Sequence, residues 1–370
     1  MPAISTCQLL NADLVIRWED GLKGRYHPLW LRDNCPCVQC RHPGSGQRLL
    51  ETATIPAATH PAAYRPETDG DLAVDWQPEG HQSRYPAALL RAYAQEAAAP
   101  EYVPIAWEGS FDTALVEMAY DDLGQDKALH RWLTNLPVYG FALLRQCPLQ
   151  EGLVEEVAQH FGYVRQTNYG RIFDVRSVSD PNNLAYTGLA LSPHTDNPYR
   201  DPVPGLQLLH CLVSSAAGGE SILVDGLAVT NDLRQHHPEF FDLLSNHPVR
   251  FHFSDQETEL TATAPLIALD HQGQFAGVRF NNRSIAPFRL PADQMAPFYR
   301  AYRTFTQRLE SPQFQIRMRL APGDLMLFDN TRLLHGRTAF SGAGQRHLQG
   351  CYVDPDGLYS RLGVLARQHA

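Results

Sequence analysis

The chain has 370 residues, 44% hydrophobic and 19% charged, so it can bury a sizeable core as two domains or as one large domain with an extension. Its formal net charge of −9 offers no basic excess for a phosphate backbone, which argues against nucleic acid as the main partner and leaves room only for a local basic patch. The opening MPAISTCQLLNADLVIRWEDG has no basic stretch ahead of an apolar run, and no apolar stretch approaches the roughly 20 residues a membrane helix needs, so a cytoplasmic protein without a membrane partner is expected.

Residues 1–95 carry short strand-like runs, DLVIRW, RLLETATI and DLAVDW, separated by Pro- and Gly-rich turns. They predict a small β-rich domain. Residues 96–110, EAAAPEYVPIAWEGS, read as a linker, and a larger domain is expected over 111–370. That domain opens with a helix over Leu123–Leu136, stopped by Pro137. GFALLRQC then reads as a strand and GLVEEVAQHFG as a short amphipathic helix. Strand-like runs follow: LQLLHCLV, ESILVDG, QFAGVRFN, DLMLFDN and RHLQGCYV, interrupted by one helix in PADQMAPFYRAYRTFTQRLES. The expected class is mainly β with helical buttresses.

Three of the seven cysteines, Cys35, Cys37 and Cys40, fall within RDNCPCVQCRHP. An odd, clustered set suits a metal better than a disulfide framework. Three soft thiolates fit Zn(II), and a fourth ligand would close a structural tetrahedron. His42, His60 and His81 are the candidates, with His42 awkwardly near Cys40 and His81 placed after a strand and a turn. A small β domain gains from such a staple.

The second constellation lies in LSPHTDNP, residues 191–198. On a strand, positions i and i+2 share a face, so His194 and Asp196 present a nitrogen and an oxygen side by side. A further histidine would complete a 2-His-1-carboxylate triad for Fe(II), leaving positions open for a cosubstrate and O2. His335, in DLMLFDNTRLLHGRTAF, is the best candidate. Arg346, eleven residues further on, can grip the far carboxylate of a dicarboxylate cosubstrate with two parallel hydrogen bonds.

With these residues in view, the sequence resembles the iron(II)/2-oxoglutarate dioxygenases, and among them the γ-butyrobetaine hydroxylase branch, over nearly its whole length. LWLRDNCPCVQC and the spacing of Trp76 and His81 resemble that branch's zinc domain. NNLAYT, LSPHTD, GLQLLHC, GGESILVDG, VRFNN, LLHGR and RHLQGCY resemble its double-stranded β-helix, or jelly-roll, catalytic domain. The resemblance implies His194, Asp196 and His335 as iron ligands, and Arg346, Ser221 and Leu209 at the 2-oxoglutarate. It implies Cys35, Cys37, Cys40 and His81 as zinc ligands. O2 is the other cosubstrate and ascorbate a reductant, and a homodimer is expected.

The branch holds a trimethylammonium group in an aromatic cage, because a methylated ammonium is a poor hydrogen-bond donor and ring faces attract it. Carried over by position, the cage is Tyr169, Phe173, Tyr186 and Tyr352, with Phe173 where mammalian members have Trp. Asn183 and Asn282 match the amides that hold the anionic end. Asn197 replaces a Tyr, Tyr199 follows it, and Arg283 adds a guanidinium. Added donors suit a phosphonate better than a carboxylate. Two substrates are therefore expected to compete for this assignment, γ-butyrobetaine and 2-(trimethylammonio)ethylphosphonate, each hydroxylated at the second carbon from nitrogen. The rival readings are a 2-oxoglutarate-dependent modifier of a protein and a non-catalytic metal-binding sensor.

Overall fold

A computed structural model describes residues 2–94, 102–176, 187–341 and 344–369. The chain divides into two compact units between Glu101 and Tyr102.

The first unit holds two three-stranded antiparallel sheets. One orders Ile4–Leu10, Asp13–Trp18 and Lys23–Tyr26; the other orders His60–Pro66, Leu72–Gln77 and Gln82–Tyr85. Its core is aliphatic and aromatic: Leu14, Ile16, Trp18, Leu72, Val74, Trp76 and Tyr85 are all buried. Burying each such side chain contributes about 1.5–3 kcal/mol. RLLETATI is not a strand. It makes one bridge, Arg41 to Arg48, and a 3-10 turn at Thr52–Thr54. Its polar side chains attach it to the cysteine loop instead: Arg48 donates to Asn34, and Thr52 donates to Asp33 Oδ1 at 2.7 Å.

The second unit is built on two sheets facing one another. The larger orders Phe173–Arg176, Arg346–Val353, Leu206–Ser214, Leu325–Asp329, Phe141–Arg145 and Glu117–Ala119, with Val164–Arg165 also paired to Arg346–Val353. The smaller orders Leu191–His194, Leu333–Arg337, Ser221–Asp225 and Gln315–Met318. Alternation along Leu206–Ser214 decides what faces what. Leu206 and Leu208 pack outward among the helices Asp126–Tyr139, Leu153–Gln159 and Pro355–His369. Leu209 and Cys211 point inward, with Leu223, Met326, Phe328 and Leu348. The outer face of the smaller sheet is covered by Gly226–His236, Pro238–Asn246 and Ala292–Glu310. This is the expected jelly-roll with helical buttresses.

Two local expectations change. The first helix runs Asp126–Tyr139 and passes through Pro137; it stops at Gly140, whose φ of 85° lets its N–H reach the carbonyls of Asn135 and Leu136. The end of the expected linker belongs to the second unit. Ile105 N–H donates to the Val138 carbonyl, and Trp107 is buried with its N–H on Asp225 Oδ2 at 3.1 Å. Among the described residues no helix is long and apolar enough to cross a membrane.

Candidate iron centre and substrate cavity

His194 is the last residue of Leu191–His194 and stands in register with His335 of Leu333–Arg337. Their rings are 4.5 Å apart. His194 Nδ1 lies 2.9 Å from the Ser192 carbonyl oxygen, to which it donates, and this turns Nε2 toward Asp196. Asp196 Oδ1 is 3.4 Å from His194 Nε2 and 3.8 Å from His335 Nε2. Asp196 does not continue the strand, as the i, i+2 reading expected. It lies in the turn that follows, and the turn brings the carboxylate to the same place.

The electrostatics suit a cation. Burial, with the nearby His194 and Arg283, pushes the His335 imidazole down to about 3 against the attraction of Asp196, so it stays neutral and able to ligate. Burial alone would raise the Asp196 carboxyl. The imidazoles of His335 and His194 and the Tyr352 hydroxyl outweigh it and hold the group well below the usual range, as a carboxylate. His335 Nδ1 is buried with no hydrogen-bond partner among the described residues. Two imidazoles and one carboxylate oxygen, all within 4.8 Å of one another, fit an iron(II) ion with open positions.

This centre opens on a cavity of about 500 Å3. Arg346, Ser221 and Leu209 line it. Arg346 has room because position 219 is glycine: a Cβ there would sit 3.1 Å from Arg346 Cδ. Burial lowers the Arg346 guanidinium, and Phe340 lies beneath it at 5.9 Å. Arg337, which the sequence reading passed over inside LLHGR, also lines the cavity. Burial, Arg346 and Arg283 push its guanidinium down to about 10, and it donates to the backbone carbonyls of Thr187 and Leu189.

Aromatic rings form another part of the wall. Tyr169, Phe173 and Tyr352 line the cavity, with Phe173 and Tyr352 4.9 Å apart. Phe173 lies flat because residue 350 is glycine; a Cβ there would meet its ring at 2.7 Å. Phe253 is an aromatic that the sequence reading missed, stacked on Tyr199 at 4.9 Å and edge-on to Tyr169 at 6.1 Å. The alternation V-x-F-x-F in Val249–Ser254 was its only signal. Tyr186 and Asn183 lie outside the described residues.

The polar wall holds Asn197, Tyr199 and Arg283. Asn282 is not there. It faces a neighbouring pocket of about 280 Å3 and accepts a 2.6 Å hydrogen bond from the Tyr302 hydroxyl. Its predecessor Asn281 takes the cavity position and accepts from the N–H and Nε of Arg283 at 3.1 and 3.2 Å. The Nη atoms of Arg283 have no acceptor among the described residues. Burial lowers this guanidinium, while Asp196 and Tyr199 favour its charge.

In the first unit, the Sγ atoms of Cys35, Cys37 and Cys40 lie 3.3, 3.7 and 3.7 Å from His81 Nε2. Tetrahedral Zn(II) with its usual bond lengths spaces sulfur and nitrogen about 3.6 Å apart. Ser83 donates to Cys35 Sγ at 3.0 Å and Arg32 to Cys40 Sγ at 3.3 Å, which offsets thiolate charge. Burial and Arg32 lower the His81 imidazole, against Glu79, and keep it neutral. His42 and His60 are turned to Ser45 and to the Ala58 carbonyl instead.

A jelly-roll with two histidines and a carboxylate lining its cavity defines a non-haem iron oxygenase site. The model of the taurine catabolism dioxygenase TauD, TfdA family matches residues 108–352, and that of the gamma-butyrobetaine hydroxylase-like N-terminal domain matches 7–97. The chain belongs to the TauD, TfdA family and is an iron(II)/2-oxoglutarate-dependent dioxygenase. It is 39% identical to a gamma-butyrobetaine dioxygenase of Pseudomonas sp. (strain AK-1), over 95% of this chain and 93% of that one. It is 31% identical to gamma-butyrobetaine dioxygenase of Homo sapiens, over 95% and 94%. It is 30% identical to a trimethyllysine dioxygenase of Meyerozyma guilliermondii, over 95% and 92%.

Proposed function

We propose that this enzyme hydroxylates a small trimethylammonium zwitterion at the second carbon from nitrogen. The observation that carries the reading is the cavity wall. Tyr169, Phe173 and Tyr352 line the same cavity as His194, Asp196 and His335, and Arg283 brings a guanidinium to it. Rings suit the methylated cation and the guanidinium suits the anion. The relatives named for γ-butyrobetaine and trimethyllysine support a trimethylammonium group.

In this reading His194, Asp196 and His335 hold iron(II), which supplies O2 activation coupled to decarboxylation of 2-oxoglutarate. Arg346 grips the distal carboxylate of 2-oxoglutarate, with Ser221 and Leu209 beside it. The rings would orient the substrate so that a C–H faces the three ligands. Cys35, Cys37, Cys40 and His81 hold a structural zinc in the N-terminal domain. Iron-dependent succinate formation with a small substrate separates this reading from a protein modifier or a sensor.

The phosphonate reading has a specific observation in its favour. Arg337 is tied to carbonyls and Arg346 is assigned to the cosubstrate, which leaves Arg283 with Nη donors that have no acceptor among the described residues. Asn197 Nδ2 is buried and has no acceptor among the described residues. A dianionic phosphonate uses both donors more fully than a carboxylate. The test is a panel of trimethylammonium carboxylates and phosphonates, read by substrate-coupled succinate formation in wild type and Arg283→Ala. A drop in the phosphonate-to-γ-butyrobetaine activity ratio supports it; an unchanged ratio removes it.

A further inference from the structure

The sheet does not hold Asp196. The strand carrying His194 ends at that residue, so among the described residues no neighbouring strand pairs with the backbone of Asp196. Two side chains do the holding instead. Asn330, only 1% exposed, accepts from the Asp196 N–H through Oδ1 at 2.7 Å and donates through Nδ2 to the Asp196 carbonyl at 3.1 Å. Its amide thus meets both backbone groups of one residue, as a partner strand would. The same Nδ2 donates to the Pro204 carbonyl at 2.9 Å, which closes the turn.

The second side chain acts on the carboxylate. Tyr352 donates its hydroxyl to Asp196 Oδ2 at 2.8 Å. The other oxygen, Oδ1, is the one that faces both imidazole Nε2 atoms. One oxygen is thereby committed to the protein and one is left for a metal.

We propose that Asn330 and Tyr352 are positioning residues that fix Asp196 as a one-oxygen ligand: Asn330 sets the backbone of the turn, and Tyr352 withholds Oδ2. This rests on reading His194, Asp196 and His335 as the metal ligands. Because the Tyr352 ring also lines the cavity against Phe173, the metal site and the aromatic wall share one side chain. Tyr352→Phe keeps that ring and removes only the donor, so Oδ2 is free to turn. Losing a hydrogen-bond partner of a ligating group typically weakens metal binding ten- to a hundredfold.

The test uses the full chain with its cysteine site loaded with zinc, titrated anaerobically with Mn(II). Mn(II) favours carboxylate over thiolate. Free Mn(II) is read by electron paramagnetic resonance, and thermal melting is followed in parallel. Tyr352→Phe is expected to raise the Mn(II) Kd about tenfold or more at an unchanged Tm. Asn330→Asp, which keeps an acceptor and loses the donor, is expected to raise it as well. A Tyr352→Phe Kd within twofold of wild type overturns the proposal. His194→Ala separates the two levels. If it binds Mn(II) like wild type, the metal reading fails; if it loses Mn(II) while Tyr352→Phe does not, the positioning proposal alone fails.

Discussion

The Tyr199 hydroxyl donates to Asn197 Oδ1 at 2.7 Å and sits 3.0 Å from the Tyr169 hydroxyl. With its Oδ1 filled from Tyr199, Asn197 has only Nδ2 to offer, and that atom is buried with no acceptor among the described residues. Burial pushes the Tyr199 phenol far above its ordinary range, so it stays a donor at any working pH. The two tyrosines therefore set which end of the amide is available to a ligand.

Tyr199→Phe keeps the ring stack on Phe253 and frees the amide to rotate. One hydrogen bond of this kind is worth about 1 kcal/mol, or roughly a fivefold effect. The KM for the zwitterionic substrate should rise about that much, with the KM for 2-oxoglutarate unchanged. Steady-state kinetics with each component varied in turn checks this. An unchanged substrate KM would remove Asn197 Nδ2 from anion binding.

Arg346→Ala should raise the KM for 2-oxoglutarate about ten- to a hundredfold, since losing charge-assisted hydrogen bonding costs about 1.5–3 kcal/mol. Arg346→Lys should recover only part, because an ammonium cannot form the paired contact. A KM for 2-oxoglutarate within twofold of wild type in Arg346→Ala would assign the anchor elsewhere, and Arg337 lines the same wall.

Much of the fold was legible because it rests on local pattern. The buried runs of Leu206–Ser214, Leu325–Asp329 and Arg346–Val353 announce central strands, and His194 with His335 announces a metal. What stayed illegible depends on contacts distant in sequence. RLLETATI has strand-like composition, but its polar side chains found partners on the cysteine loop. Asn281 and Asn282 cannot be told apart by type; the chain direction after Val278 turns one to the cavity and the other to Tyr302. Asn330 carries no local sign of its role, since the residue it supports lies 134 positions away.

Removing His81, the fourth ligand of the proposed zinc site, should unfold the first unit before the second. A structural Zn(II) contributes folding energy directly, and this unit has a small core to rely on without it. His81→Ala should lose zinc by elemental analysis and show an added low-temperature unfolding step. Ser83→Ala, which removes the donor to Cys35 Sγ and the acceptor for Trp76 Nε1, should weaken zinc retention against a chelator more mildly. Full zinc retention in His81→Ala would give the fourth position to another group.

The most demanding stability prediction concerns Arg332 and Asp225, both nearly inaccessible to solvent. Arg332 donates to both Asp225 oxygens, at 3.0 and 2.9 Å, and to the carbonyls of Val138 and Ile105. Asp225 also accepts from Leu227 N–H at the start of Gly226–His236 and from Trp107 N–H. Breaking such a pair from one side leaves a buried charge alone, which costs about 3–5 kcal/mol. Arg332→Met strands the carboxylate and also two carbonyls, so it should cost at least that much in denaturant unfolding of the second unit. Asp225→Asn keeps a neutral acceptor and should cost less. The double variant should be less destabilised than the sum of the two, because neither charge is then left unpaired. If the two single losses simply add, the pair is not acting as a unit, and the attachment of residues 105–107 must depend on the packing of Trp107 instead.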